Sequence, residues 1–90
     1  MFVLGNVTAS EKAYRLINQG ILNINDILKR HLNLDDDTNG EDREINEYTI
    51  KKGFGNIINI YNIENQRVYV HTVKELEGIT YTRIYLSDEY

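Results

Sequence analysis

The chain has 90 residues, 41% of them hydrophobic and 27% charged, with fourteen acidic against ten basic side chains and a net charge of −4. That length holds one small domain, residues 1–90, with a thin core, since a chain of this size hides only about 60–65% of its unfolded surface. The excess of acid argues against gripping nucleic acid by bulk charge; the absence of cysteine excludes disulfides, thiol nucleophiles and CxxC zinc sites, and two histidines leave little for a transition metal.

In chain order, the apolar run Phe2, Val3, Leu4 reads as a short first strand. Thr8 and Glu11 have the T-x-x-E spacing of a capping box, in which the Thr8 hydroxyl accepts from the Glu11 backbone N–H and Glu11 reaches back. A helix follows with Ala13, Tyr14, Leu16 and Ile17 on one side and Glu11, Lys12, Arg15 and Asn18 on the other, and Gly20 closes it. Asn23 or Asn25 caps a second helix running to about Leu32, which buries Ile24, Ile27, Leu28 and Leu32. Residues Leu34 to Glu44 are hydrophilic and rich in aspartate, and after them the apolar period is closer to two. Strands are predicted at Ile45–Lys51, Asn56–Ile63, Arg67–Lys74 and Ile79–Leu86, with breaks at Gly53–Gly55, Glu64–Gln66 and Glu75–Gly78. The expected fold is α+β: two N-terminal helices packed on one face of a four-stranded antiparallel β-meander, with Ile17, Ile27, Leu28, Val68, Val70 and Ile84 buried.

Several motifs fail when weighed against the chemistry they need. Asp35, Asp37, Asn39 and Gly40 match the opening of an EF-hand loop, but the twelfth position is Asn46 where a bidentate carboxylate is required, and the eighth is Asp42 where an apolar residue is required. A solvated acidic loop is the expectation there. Lys52-Gly53-Phe54-Gly55 matches the first half of the RNP1 pattern of RNA-recognition modules, and residues 2–6 resemble its partner strand. Asn56 and Asn59 stand where base-stacking rings belong, and residues 67–73 alternate like a strand where that family has a helix. Asn6-Val7-Thr8 matches a glycosylation acceptor by chance, and no phosphate-binding loop, nucleophile elbow or metalloprotease helix is present. No cofactor and no metal are expected. With no run of about 18 apolar residues and no basic-then-apolar leader, the expectation is a soluble, cytoplasmic chain without membrane contact.

The most informative feature is the alternation in the last two predicted strands. Val68, Val70 and Thr72 share one face with Ile84 and Leu86; Tyr69 and His71 share the other with Tyr81, Arg83 and Tyr85. With helices on the aliphatic face, the second is expected to form an exposed patch of Tyr69, His71, Tyr81, Arg83 and Tyr85, flanked by Arg67 and joined by Asn59 and Tyr61 from the preceding strand. Tyr and Arg are frequent interface anchors, so the patch reads as a partner-binding surface. A second reading is RNA cleavage, with His71 or Tyr81 moving protons and Arg83 neutralising a phosphate.

Helices first, then an antiparallel sheet displaying His71, Tyr81 and Arg83, resembles the RelE/BrnT-like ribonuclease toxins, and the likeness implies an endoribonuclease on that face. The small size and acidic charge resemble phage anti-CRISPR-type inhibitors. The leading expectation is a non-catalytic binding protein of a phage or other mobile element that inhibits a nucleic-acid-binding host defence protein, its acidic surface steered towards a basic channel. The ribonuclease toxin and a degenerate RNA-binding module are the alternatives, with RNA as partner, and self-association is compatible with each.

Overall fold

Apolar spacing sets most of the architecture, and polar side chains set the rest. The structure is a computed structural model and describes residues 2–38 and 43–89. Its elements are β1 (Asn6–Ala9), α1 (Glu11–Asn18), α2 (Ile24–Leu32), α3 (Arg43–Lys52), β2 (Gly55–Ile63), β3 (Gln66–Lys74) and β4 (Thr80–Leu86), then a 3-10 turn at Ser87–Glu89. One four-stranded sheet runs in the order β1-β4-β3-β2. β2, β3 and β4 form the expected antiparallel meander, with Ile63 opposite Gln66 and Val70 opposite both Asn59 and Ile84. The Glu64–Asn65 turn between β2 and β3 has both residues at positive φ (51° and 64°), which matches the right-handed twist of a two-residue hairpin.

The sheet departs from a pure meander at its other edge. The first strand is Asn6–Ala9 rather than Phe2–Leu4, and it pairs parallel to β4, Asn6 against Tyr81 through Ala9 against Ile84. Gly5 makes this entry possible. Its φ is +64°, and a Cβ there would lie 1.8 Å from the Thr80 carbonyl oxygen. Thr8 therefore belongs to β1, and the helix cap moves to Ser10, whose extended backbone (φ −65°, ψ 167°) lets its Oγ accept from the Ala13 N–H. Asn23 caps α2 in the same way, accepting from the Asp26 N–H.

The second correction is at residues 45–51, expected as a strand and found within α3. Its inward residues are Asn46 and Thr49, with Ile50 half-buried, while Ile45 and Tyr48 face outward. Because its buried side is polar, the stripe that identifies a helix in sequence is missing. The pair Arg43–Glu47 at i,i+4 and the acid-first, base-last order (Glu44, then Lys51 and Lys52) favour the helix instead.

α1 and α2 lie on one face of the sheet and α3 packs along its β2 edge, with two core clusters between helices and sheet. The larger gathers Ala13, Leu16, Leu22 and Ile27 against Tyr61, Val68, Val70, Ile84 and Leu86, with Ile17 and Leu28 half-buried at its margin. The smaller joins Phe2, Leu34 and Ile57, with Leu4 and Ile50 packed against it. Phe2 and Leu4 thus serve the core rather than a strand. Among the described residues no helix is long and apolar enough to cross a membrane.

The outer edge of β2 is closed by side chains. The Asn46 amide donates to the Ile58 carbonyl (2.8 Å) and accepts from the Ile58 N–H (3.1 Å). Asp36 Oδ2 accepts from the Ile60 N–H, Asp37 Oδ2 accepts from the Asn62 N–H, and the Asp37 N–H donates to the Ile60 carbonyl. Of the aspartates expected in a solvated loop, Asp36 and Asp37 are bound to the sheet, whereas Asp35 is exposed and pairs with Arg30; Asn39, Gly40 and Asp42 of the same motif lie outside the described residues.

Candidate functional site

The face of the sheet opposite the helices is built by the alternating residues of β2, β3 and β4. Register places Tyr69 opposite Tyr85, His71 opposite Arg83 and Val73 opposite Tyr81. Four of the five expected site residues meet in one contact group. The Tyr69 and Tyr85 rings stack with centroids 5.4 Å apart, and the Arg83 guanidinium lies 5.5 Å from the Tyr85 ring centre. His71 Nδ1 is 3.2 Å from the Tyr85 hydroxyl and Nε2 is 2.8 Å from Asn56 Oδ1. Tyr81 shares the face, one cross-strand pair further along, and is half-buried.

Two expectations need correction. Tyr85 is not exposed: it is 6% accessible, a floor for the patch rather than part of its rim. Asn59 and Tyr61 do not join the face, because β2 turns Ile57, Asn59 and Tyr61 towards the helices and Asn56, Ile58 and Ile60 away from them. Sequence reasoning assigned β2 the wrong side because its apolar residues fall on both parities. It also missed Asn56, which the corrected parity would have found, and Glu89, for which the sequence carries no signal.

The chemistry of the patch follows from its hydrogen bonds. Asn56 Oδ1 only accepts, so His71 carries its proton on Nε2 and accepts at Nδ1 from the Tyr85 hydroxyl, an assignment made from these partners. Burial, and secondarily the Arg83 charge, hold the His71 pKa below its ordinary value, so the ring is neutral at pH 7. Glu89 lines the same depression, but its Oε1 already accepts from the Ser10 hydroxyl (2.5 Å) and the Leu86 N–H (2.9 Å). Arg83 is exposed and forms no ion pair among the described residues. The depression bounded by His71, Arg83, Tyr85 and Glu89 has a volume of about 180 Å³. Small-molecule sites run to about 300–1,000 Å³.

Elsewhere, the chemically rich residues are spent on structure. Arg30 pairs with Asp35 (3.2 Å) and Asp37 (3.0 Å). The Asp37 carboxyl is held below the usual carboxylate range, chiefly by the Asn62 N–H and, against the opposing effect of burial, by Arg30. Burial would raise the Asp36 pKa, but bonds from Asn59, Thr38 and the Ile60 backbone outweigh it and keep the carboxyl ionised. No group of His, Asp or Glu suited to a metal occurs among the described residues. In the RNP1-like stretch, Lys52 ends a helix, with its ammonium 5.0 Å from the Tyr48 ring centre and 4.7 Å from that of Phe54. No family model, curated protein or solved structure matches the chain.

Proposed function

We propose that the chain is a non-catalytic binding protein that docks a protein partner on its open sheet face, as a small mobile-element inhibitor docks on a host defence protein. The observation that carries this reading is Arg83: an exposed guanidinium, laid over a buried tyrosine, beside a histidine whose two ring nitrogens are both hydrogen-bonded. Such a surface loses little side-chain entropy on association, and Tyr and Arg are among the residues enriched at the energetic centres of interfaces. At about 180 Å³ the depression is smaller than a usual small-molecule site and has room for one protruding side chain of a partner. The net charge of −4 favours approach to a basic, nucleic-acid-binding partner. The acidic stretch is a poor phosphate mimic, since Asp36 and Asp37 are engaged with the β2 backbone.

RNA cleavage is less well supported. His71 would have to give up its bond to Asn56 or to Tyr85 before moving a proton, and its depressed pKa leaves it without charge at neutral pH. The test is capture from host lysate with and without nuclease, using wild type, Arg83→Ala and Tyr81→Ala. Binding should survive nuclease and weaken by about 1–3 kcal/mol in Arg83→Ala, with the melting temperature unchanged. Nuclease-sensitive capture, or RNA cleavage that His71→Ala abolishes, would replace this reading with an RNA-directed one.

A further inference from the structure

A line of hydrogen-bonding groups crosses the interior between α2 and the sheet. His31 is fully buried, with the Phe2 ring edge-on at 5.2 Å. Its Nδ1 is 2.7 Å from Asn59 Oδ1 and its Nε2 is 2.8 Å from Thr72 Oγ1. Thr72 Oγ1 is 2.7 Å from Thr82 Oγ1, which is 2.7 Å from the Leu4 carbonyl oxygen. At the far end Asn59 Nδ2 donates to Asp36 Oδ2 at 2.9 Å. The ionised Asp36 fixes the Asn59 amide, so its oxygen faces His31 and His31 Nδ1 must donate.

Hydrogens can then be counted. Four links run from Asn59 Oδ1 to the Leu4 oxygen, both end atoms only accept, and each link needs one hydrogen. The two threonine hydroxyls supply one each, and a neutral His31 supplies one. The line is a hydrogen short unless His31 carries both ring protons. Burial decides where the shortage falls. His31, Thr72 and Thr82 are wholly inaccessible, whereas Leu4 is half-buried and can exchange its partner for water.

We propose that protonation of His31 reverses the two threonine hydroxyls and thereby fastens the Leu4 carbonyl, so that docking of the N-terminal segment on the sheet is coupled to the charge of a histidine buried behind it. With the ring neutral, Thr72 donates to Nε2, Thr82 donates to Thr72, and Leu4 is left to water. With the ring charged, Nε2 donates to Thr72, Thr72 to Thr82, and Thr82 to Leu4. Among the described residues, the charged and titratable groups near the ring are Asp36, on the loop after α2, and His71, on β3 but on the other face of the sheet; the first favours the imidazolium and the second opposes it. The segment reached in this way leads directly into β1.

Nuclear magnetic resonance reads both ends of the line. At pH 7 the His31 ring should be protonated at Nδ1 and bare at Nε2, and the Leu4 carbonyl carbon should shift little between wild type and Thr82→Val. On acidification the wild-type Leu4 carbonyl should move with the same midpoint as the His31 nitrogens, while in Thr82→Val it stays flat and the His31 midpoint falls by about half a pH unit or more. The pH 7 comparison needs only the folded protein. A His31 ring protonated at Nε2 alone, or a Leu4 shift that depends on Thr82 at pH 7, overturns the proposal, as does a Leu4 carbonyl indifferent to the titration of His31.

Discussion

His31 and Tyr61 show how much a single buried polar group sets in a core this thin. Burial pushes the His31 pKa down to about 4 from 6.5, against the partly offsetting bond to Asn59, so the ring is neutral in the fold and gains a proton more readily in the unfolded chain. The unfolded state therefore binds more protons between those two values. The stability contributed is complete above pH 6.5 and lost as the pH falls towards 4, by about 3 kcal/mol for a shift of this size. Urea unfolding at a series of pH values should show this loss in wild type and a flatter profile in His31→Gln. Tyr61 offers the opposite case. Its hydroxyl is buried with no hydrogen-bond partner among the described residues, and burial raises its pKa so that it stays protonated. Its ring is useful, packed in the larger core under the Arg30 guanidinium at 4.8 Å, but its oxygen is not. Tyr61→Phe should raise stability by about 1 kcal/mol, read as a higher urea midpoint with an unchanged slope.

At the scale of elements, the outer edge of β2 is the place where polar residues do structural work. An unpaired strand edge is a template for association, and here the amide of Asn46 and the carboxylates of Asp36 and Asp37 occupy its outward groups. Asp36→Ala removes the acceptor of the Ile60 N–H and of Asn59 at once, and should cost roughly 2 kcal/mol and increase aggregation at high concentration, measured by unfolding and by light scattering. The same edge accounts for what sequence reading missed in α3. Asn46 points inward because the strand edge needs a polar partner, and Thr49 is buried on the same side, while Ile45 and Tyr48 are left outside. A method that equates apolar with inward inverts this helix. By contrast α1, α2, β3 and β4 were legible, since each buries an aliphatic stripe at its own period.

For the whole molecule, the decisive element is the shortest strand. β1 adds a parallel partner to β4 and makes the sheet mixed, and it does so through a glycine whose Cβ position is filled by the Thr80 carbonyl. Gly5→Ala should prevent the pairing, lowering the melting temperature by several degrees and exposing the β1 amides to hydrogen exchange ahead of the rest of the sheet. The open face lies on the other side of the same β4 strand, so the residues proposed for partner contact depend on register rather than on β1 itself. That the five residues share one face was legible because a period of two needs no tertiary information; the depth of Tyr85 was not, because burial depends on what lies above a residue as well as on which face it takes.

The sequence by itself determined the α+β class, the two N-terminal helices, three of the four strands of the expected meander and which residues of β3 and β4 share the open face. These are local properties: spacing of aliphatic side chains, a cap residue before a helix, and a turn between strands. Only the tertiary structure decided the parallel strand, the third helix, the aspartates bound to the β2 edge and the line through His31. Each of those joins groups far apart in the chain, Leu4 to Thr82 or Asp36 to Ile60, by hydrogen bonds whose donors and acceptors are common to many residues. Apolar burial leaves a periodic trace in the sequence because a whole face must be written for it. A buried polar contact needs one residue at each end, and nothing in the order of the chain says which two will meet.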